Sequence, residues 1–181
     1  QRQVLPGLYY HLPPTQGKRN PWEASEDDLC ALLVSQKTQK AADTFLLDNF
    51  GGLSPLLCRE LAFRVFGGVD FDLASMPDEE KRQAAGRLFA ELQALHTGEK
   101  TPTVLLREKK PWDFTCVPIR QYEGLVSQET APSFSSLLDG FYAKRDLLER
   151  TRQKTQTLRK TLTNLHSRTA RKLQNQKKEL E

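Results

Sequence analysis

Ten cations and no acid lie between Arg150 and Lys178: Arg150, Arg152, Lys154, Arg159, Lys160, Arg168, Arg171, Lys172, Lys177 and Lys178. Side chains of this type without counter-ions neutralise phosphates, so the chemistry they point to is the binding of a polyanion. An exposed helix ordinarily intersperses Glu with Lys, because each such pair adds about 0.3 kcal/mol and like charges at i,i+4 cost about as much. A helix that forgoes the acids accepts self-repulsion, which an acidic partner would relieve. The competing reading is a solvated face whose charges only keep a coiled coil soluble. From Lys144 to Glu181 there are 12 Lys/Arg against 4 Asp/Glu; with chain totals of 27 and 23, the part before Lys144 carries a net −4. The overall +4 thus hides two oppositely charged parts.

A second candidate is the pair Gly51-Gly52, followed by Ser54 and Pro55. Glycines allow positive φ and close backbone approach, and the helix N-terminus that follows presents unpaired N–H groups to a phosphate. Lys37, Lys40 and Arg59 could add charge nearby. Many helix–helix corners use glycine for purely structural reasons, and Arg59 with Glu60 could equally be an internal ion pair.

Catalytic constellations are missing from the sequence: there is no GxSxG, no Walker loop and no HExxH, and His96 and His166 have no nearby carboxylate or Cys partner. The expectation is a binding module and not an enzyme, with no cofactor. Cys30, Cys58 and Cys116 are odd in number, widely spaced and set among apolar neighbours, which suits reduced core thiols in a cytoplasmic protein and leaves no CxxC pair for zinc. No apolar run approaches a membrane span.

The elements that must position these residues follow from period and caps. Residues 1–22, rich in Pro and aromatics, read as an extended linker. Ser25 is an N-cap with Glu26, Asp27 and Asp28 in the first turn, and Leu29, Leu32 and Leu33 give a helical face. A second helix is predicted from Lys37 to Phe50, closed by Gly51-Gly52. A third, capped by Ser54 with Pro55 at its first position, runs to Gly67-Gly68. Ser75 is the expected N-cap of a fourth helix that reaches Leu95 with Leu88, Phe89, Leu92 and Leu95 buried. Thr103–Leu106 and Phe114–Val117 are the strand candidates, separated by 109–113, and Arg120 to Pro132 is loop or weak strand. Ser133 or Ser135 starts a terminal helix anchored by Leu137, Leu138, Phe141 and Tyr142. Its seam, Leu148, Thr151, Thr155, Leu158, Leu162, Leu165, Thr169 and then Leu173, Gln176 and Leu180, has heptad spacing but is weakened by threonines. Both ends are abrupt, so the chain reads as an internal fragment, its last helix one arm of a hairpin or of a self-associating coiled coil.

The ordered set of motifs resembles the NFACT family of RqcH and fibronectin-binding protein A-like ribosome quality control factors. The residues that carry the likeness are Val4-Leu5-Pro6-Gly7 with Tyr9 and Tyr10, Pro13-Pro14, Lys18 and Asn20-Pro21; then Asn49-Phe50-Gly51-Gly52-Leu53-Ser54-Pro55-Leu56 with Arg59-Glu60; then Pro111-Trp112-Asp113-Phe114 and Gln121-Tyr122; then Ser133-Phe134-Ser135-Ser136-Leu137-Leu138 and Tyr142. The resemblance implies an α+β fragment, mainly helical with a small β element. Its parts would be the end of the N-terminal region (1–22), a helix-hairpin-helix domain (23–98), a short β segment (99–132) and the first helix of a coiled-coil hairpin (133–181). It also implies binding to stalled large ribosomal subunits, their RNA and proteins, and recruitment of tRNA for C-terminal alanine tailing of the nascent chain. The residues placed on RNA are Gly51, Gly52, Ser54, Lys37, Lys40 and Arg59 at the hairpin, and Arg150, Arg152, Lys154, Arg159, Lys160, Arg168, Arg171 and Lys172 on the arm. The family's Asp-Arg pair associated with tailing lies upstream of Gln1. Alternatives are a fibronectin-binding surface adhesin and a structural coiled-coil protein.

Overall fold

A computed structural model describes residues 16–180, with side chains up to Lys178, as α1 (Glu26–Ser35), α2 (Ala42–Asn49), α3 (Pro55–Phe66), a short 3-10 turn (Leu73–Ser75), α4 (Asp78–Thr97), β1 (Thr103–Arg107), β2 (Lys110–Thr115), β3 (Ser127–Thr130) and α5 (Phe134–Leu180). Helices predominate over one small antiparallel sheet, the α+β class expected from the sequence. Two compact units divide the chain: one runs to Thr101 and includes Thr115–Ser127, and the other holds Pro102–Phe114 and everything from Gln128. The expected β segment 99–132 is thereby shared between them. The motifs in residues 1–15, Val4-Leu5-Pro6-Gly7, Tyr9, Tyr10 and Pro13-Pro14, lie outside the described residues.

The first unit is a helical core. α4 packs on α1 and α3, and α2 packs on α3. Leu29, Leu33, Phe45, Leu46, Leu61, Leu88 and Leu92 are each at most 2% exposed and form one cluster. The caps do what their residue types demand. Ser25 Oγ accepts from Asp28 N at 3.1 Å while Asp28 Oδ2 accepts from Ser25 N at 3.0 Å, a complete capping box. Ser54 Oγ accepts from Leu57 N at 3.2 Å at the start of α3, and Gly67, at φ 77°, closes it in the left-handed conformation.

Three expectations for this unit change. The helix predicted from Lys37 starts only at Ala42, because Lys37–Ala41 is drawn into extended pairing. Lys40 N donates to Asp72 Oδ1 at 3.1 Å, Leu73 N donates to Lys40 O at 3.1 Å, and Ala41 bridges Asp72 antiparallel. Ser75 does not cap α4; Asp72 caps the preceding 3-10 turn, accepting from Ala74 N, and α4 begins after Pro77. The end of the expected linker is also tied down: Arg19 N donates to Asn49 O at 2.8 Å, Gly51 N donates to Arg19 O at 2.9 Å, and Trp22 stacks on His96 at 5.0 Å.

The second unit carries the sheet, in the order β2-β1-β3, and α5. β2 begins at Lys110, not Phe114, since Glu108 and Lys109 take positive φ (52° and 61°) and make the tight turn that matches strand twist. Pro111 is tolerated because β2 is an edge strand. β3 falls where only a loop or weak strand was expected. Ser133 is the cap of α5, its Oγ accepting from Ser136 N at 3.1 Å. Leu137 and Phe141 are buried at the foot of α5, 2% and 4% exposed, with Phe114 edge-on to Phe141 at 5.0 Å, whereas Leu138 and Tyr142 are exposed.

Candidate nucleic-acid interface

At the hairpin, Phe50 ends α2 with its N–H on Leu46 O, Gly52 takes φ 78°, and Leu53 is buried beneath the turn before Ser54 opens α3. A β-carbon at Gly52 would meet nothing within 4 Å, so the positive φ and not crowding requires glycine there. A β-carbon at Gly51 would sit 3.7 Å from Lys18 Cβ and 3.8 Å from Arg19 O. The parallel bridge between Arg19 and Phe50 therefore delivers two cations to the hairpin that residue spacing could not assign to it. Arg19 is half-exposed, its nearest acid Asp28 at 4.0 Å. The signal was present in Lys18 and Arg19 themselves, but their partner lies some thirty residues on.

The other expected hairpin cations are dispersed and already partnered. Lys37 Nζ lies 2.7 Å from Asp78 Oδ1 in the first turn of α4, and that hydrogen bond holds the Asp78 carboxyl below the usual range. Lys40 Nζ is 2.8 Å from Asp48 Oδ2. Arg59 lies over the Tyr122 ring, 5.8 Å from its centroid, and does not pair with Glu60. The buried Glu60 carboxylate, 1% exposed, instead binds Arg64 Nε at 2.6 Å and accepts from the backbone N–H of Arg120 (2.9 Å) and Gln121 (3.0 Å). Arg64 continues the network to Glu91 at 3.1 Å and to Pro118 O at 2.8 Å. Lys81, also 1% exposed, donates to Gln36 O at 2.8 Å at the end of α1, a helix with no basic residue in its own last turn.

The arm is the opposite case. All residues from Arg150 to Lys178 are exposed, and among the described residues no salt bridge involves any of their cations. Arg150, Arg152, Lys154, Arg159, Lys160, Arg168, Arg171 and Lys172 are thus held on one helix as unpaired charges, alongside Leu158, Leu162, Leu165 and Leu173, which are 53–66% exposed. The threonines turn inward on the helix itself. Thr151, Thr155, Thr157, Thr161, Thr163 and Thr169 each donate their hydroxyl to the carbonyl four residues earlier, at 2.8–3.1 Å.

The Cys58 thiol is fully buried, and burial pushes its pKa up to about 12, far from a reactive thiolate. Among the described residues no cluster of His, Cys, Asp and Glu could hold a metal ion, and no helix is long and apolar enough to cross a membrane.

Two comparisons with known proteins show the family. Residues 1–181 match the NFACT N-terminal and middle domains. The chain is 33% identical over 180 residues to the Rqc2 homolog RqcH of Bacillus subtilis, covering 99% of this chain and 29% of that relative. Among solved structures, the fibrinogen binding protein from Staphylococcus aureus is similar with a TM-score of 0.51 and 27% identity, over 77% of this chain and 46% of that one. The N-terminal part of the fibronectin/fibrinogen-binding protein from Streptococcus suis matches 78% of this chain and 42% of its own at a TM-score of 0.48 and 22% identity. The helical unit with its glycine hairpin, the small sheet and the long basic helix are matched along the whole length to the NFACT N-terminal and middle domains, and the chain belongs to the NFACT family.

Proposed function

We propose that this chain is the RNA-binding part of a cytoplasmic ribosome quality control factor, which grips large ribosomal subunits and tRNA and itself makes and breaks no bonds. The observation that carries the reading is the arm: ten cations from Arg150 to Lys178, exposed on one helix and, among the described residues, in no salt bridge. Unpaired cations in that density are a standing electrostatic cost that phosphates remove. The glycine hairpin with Lys18, Arg19 and the Ser54-capped start of α3 is the second contact. The name of the Bacillus subtilis relative supports ribosome quality control as the setting. Tailing with alanine would depend on regions of the family other than this one.

The test is RNA and large-subunit binding as a function of salt. Reversal of Arg159, Lys160, Arg171 and Lys172 to Glu is expected to reduce the slope of log K against log salt by about 3 and to weaken binding at least tenfold. Binding indifferent to both salt and reversal would overturn the reading. A second reading, adhesion to fibrinogen or fibronectin, is supported by the name of the Staphylococcus aureus structural neighbour, a fibrinogen binding protein. It expects the folded chain to bind immobilised fibrinogen or fibronectin with the reversed arm as well as without it.

A further inference from the structure

Among the described residues two buried side-chain atoms lack a hydrogen-bond partner, Arg59 Nε and Gln121 Oε1; Gln121 bonds to α3 one turn before Arg59, and its neighbour Tyr122 touches the Arg59 guanidinium. Gln121 Nε2 donates to Leu56 O at 3.0 Å, one turn before Arg59 on α3, and the Gln121 backbone N–H is fixed on Glu60 Oε2 at 3.0 Å. The adjacent residue, Tyr122, has its ring over the Arg59 guanidinium. One orphan is a donor and the other an acceptor, and leaving either unmet is unfavourable.

The pairing of types narrows the ligand. A phosphate or carboxylate could accept from Nε–H but has no proton for Gln121 Oε1. A group with a donor beside an acceptor satisfies both, and the Watson–Crick edge of every nucleobase offers that arrangement when the base is unpaired. Such a base would lie in the plane of the guanidinium, accepting from Nε–H and donating to Oε1, with the Tyr122 ring closing over base and guanidinium together. Arg59, Gln121 and Tyr122 are each only partly buried, so the spot lies at the surface of the helical unit. The carboxylate of Glu60 meanwhile holds the backbone of residues 120 and 121 in place, so the acceptor is presented on a fixed support.

We infer that Arg59, Gln121 and Tyr122 form a nucleobase-binding site on the flank of α3, which selects unpaired over paired RNA. The inference rests on the RNA-binding reading above and adds a contact that is not electrostatic. It selects for an open edge and not for one base over another.

The test measures binding of a short oligouridylate, the same oligomer with abasic sugars, and an RNA duplex to the full 181-residue chain. Tyr122→Leu and Arg59→Lys are each expected to weaken oligouridylate binding roughly tenfold, leaving duplex binding and the salt slope as they were. Tyr122→Phe should recover most of the loss. Abasic RNA should bind the unsubstituted chain as weakly as oligouridylate binds Tyr122→Leu. In the unsubstituted chain, an oligomer carrying 4-thiouridine should crosslink to a peptide containing Tyr122, a readout that needs no variant to fold. Equal losses for single strand and duplex, no loss at all, or crosslinks confined to other peptides would overturn the inference while the arm's role stands. Loss of binding to ribosomal protein with RNA binding intact would assign the spot to a peptide amide and overturn it too. No RNA binding by the unsubstituted chain would overturn both readings.

Discussion

The helical unit and the arm treat charge in opposite ways. In the helical unit, even fully buried ions have partners: Glu60 has a guanidinium and two backbone N–H groups, and Lys81 has the carbonyl at the end of α1. On the arm, the cations from Arg150 to Lys178 stand in water and, among the described residues, none forms a salt bridge. Lys37 and Lys40 look like arm residues in the sequence but behave like core residues in the fold, bound to Asp78 and Asp48. The lesson is that a basic residue points to a partner outside the chain only after its intramolecular acid has been looked for and not found.

The comparison can be broken first at the core. Phe45→Ala, in a fully buried position, should cost about 4 kcal/mol in urea unfolding of the helical unit, while Leu162→Ala on the arm should change it by less than about 0.5 kcal/mol. Comparable losses would mean that the arm's seam is packed and not free. Next, Glu60→Ala should cost about 3 kcal/mol, because it strands the Arg64 guanidinium and two backbone donors at once. A near-neutral effect would show that Glu60 is no more engaged than a surface acid.

A smaller effect, about 1 kcal/mol, is expected for Gly52→Ala, from backbone strain at φ 78° and not from a clash. Gly140→Ala on α5 should instead stabilise slightly, since it lies inside a helix with open space around it; equal signs would remove this contrast. Smallest is the acid response of the α1 cap. The hydrogen bonds from Ser25, chiefly its side chain, hold Asp28 below its ordinary pKa of 3.8. Its stabilising contribution is therefore complete above that value and lost as pH falls through the lower, folded value. Amide exchange at the start of α1 should accelerate in that acid window for the parent chain, and Asp28→Asn should flatten the response. Exchange in the arm should show no such step.

Local features were legible in the sequence, and long-range ones were not. Ser25 and Ser54 announce their helices because a cap is satisfied within three residues, and the acid-free run on α5 needs only counting. The start of α2 was misplaced because Lys37–Ala41 has helical composition but yields to Asp72, some thirty residues later. The turn at Glu108-Lys109 was hidden because neither residue is the Asn or Gly that such φ values favour. Glu60 looked like half of an i,i−1 pair with Arg59; its partners at 120 and 121 come from a loop that no periodicity connects to α3. For the same reason Lys18, Arg19, Gln121 and Tyr122 joined the candidate site only in three dimensions, and the first two sit within ordinary contact distance of Gly51.

One consequence of the arm's threonines concerns how they meet the outside. With the hydroxyl returned to the backbone, each offers its γ-methyl and keeps its polar atom occupied, so an approaching surface encounters something close to valine. The stripe at Thr151, Thr155 and Thr169 is then hydrocarbon in a row with Leu158, Leu162 and Leu165, framed by guanidinium and ammonium groups. The conservative exchange at these positions is Val, not Ser, because Ser keeps the oxygen that is already spent and discards the carbon on display.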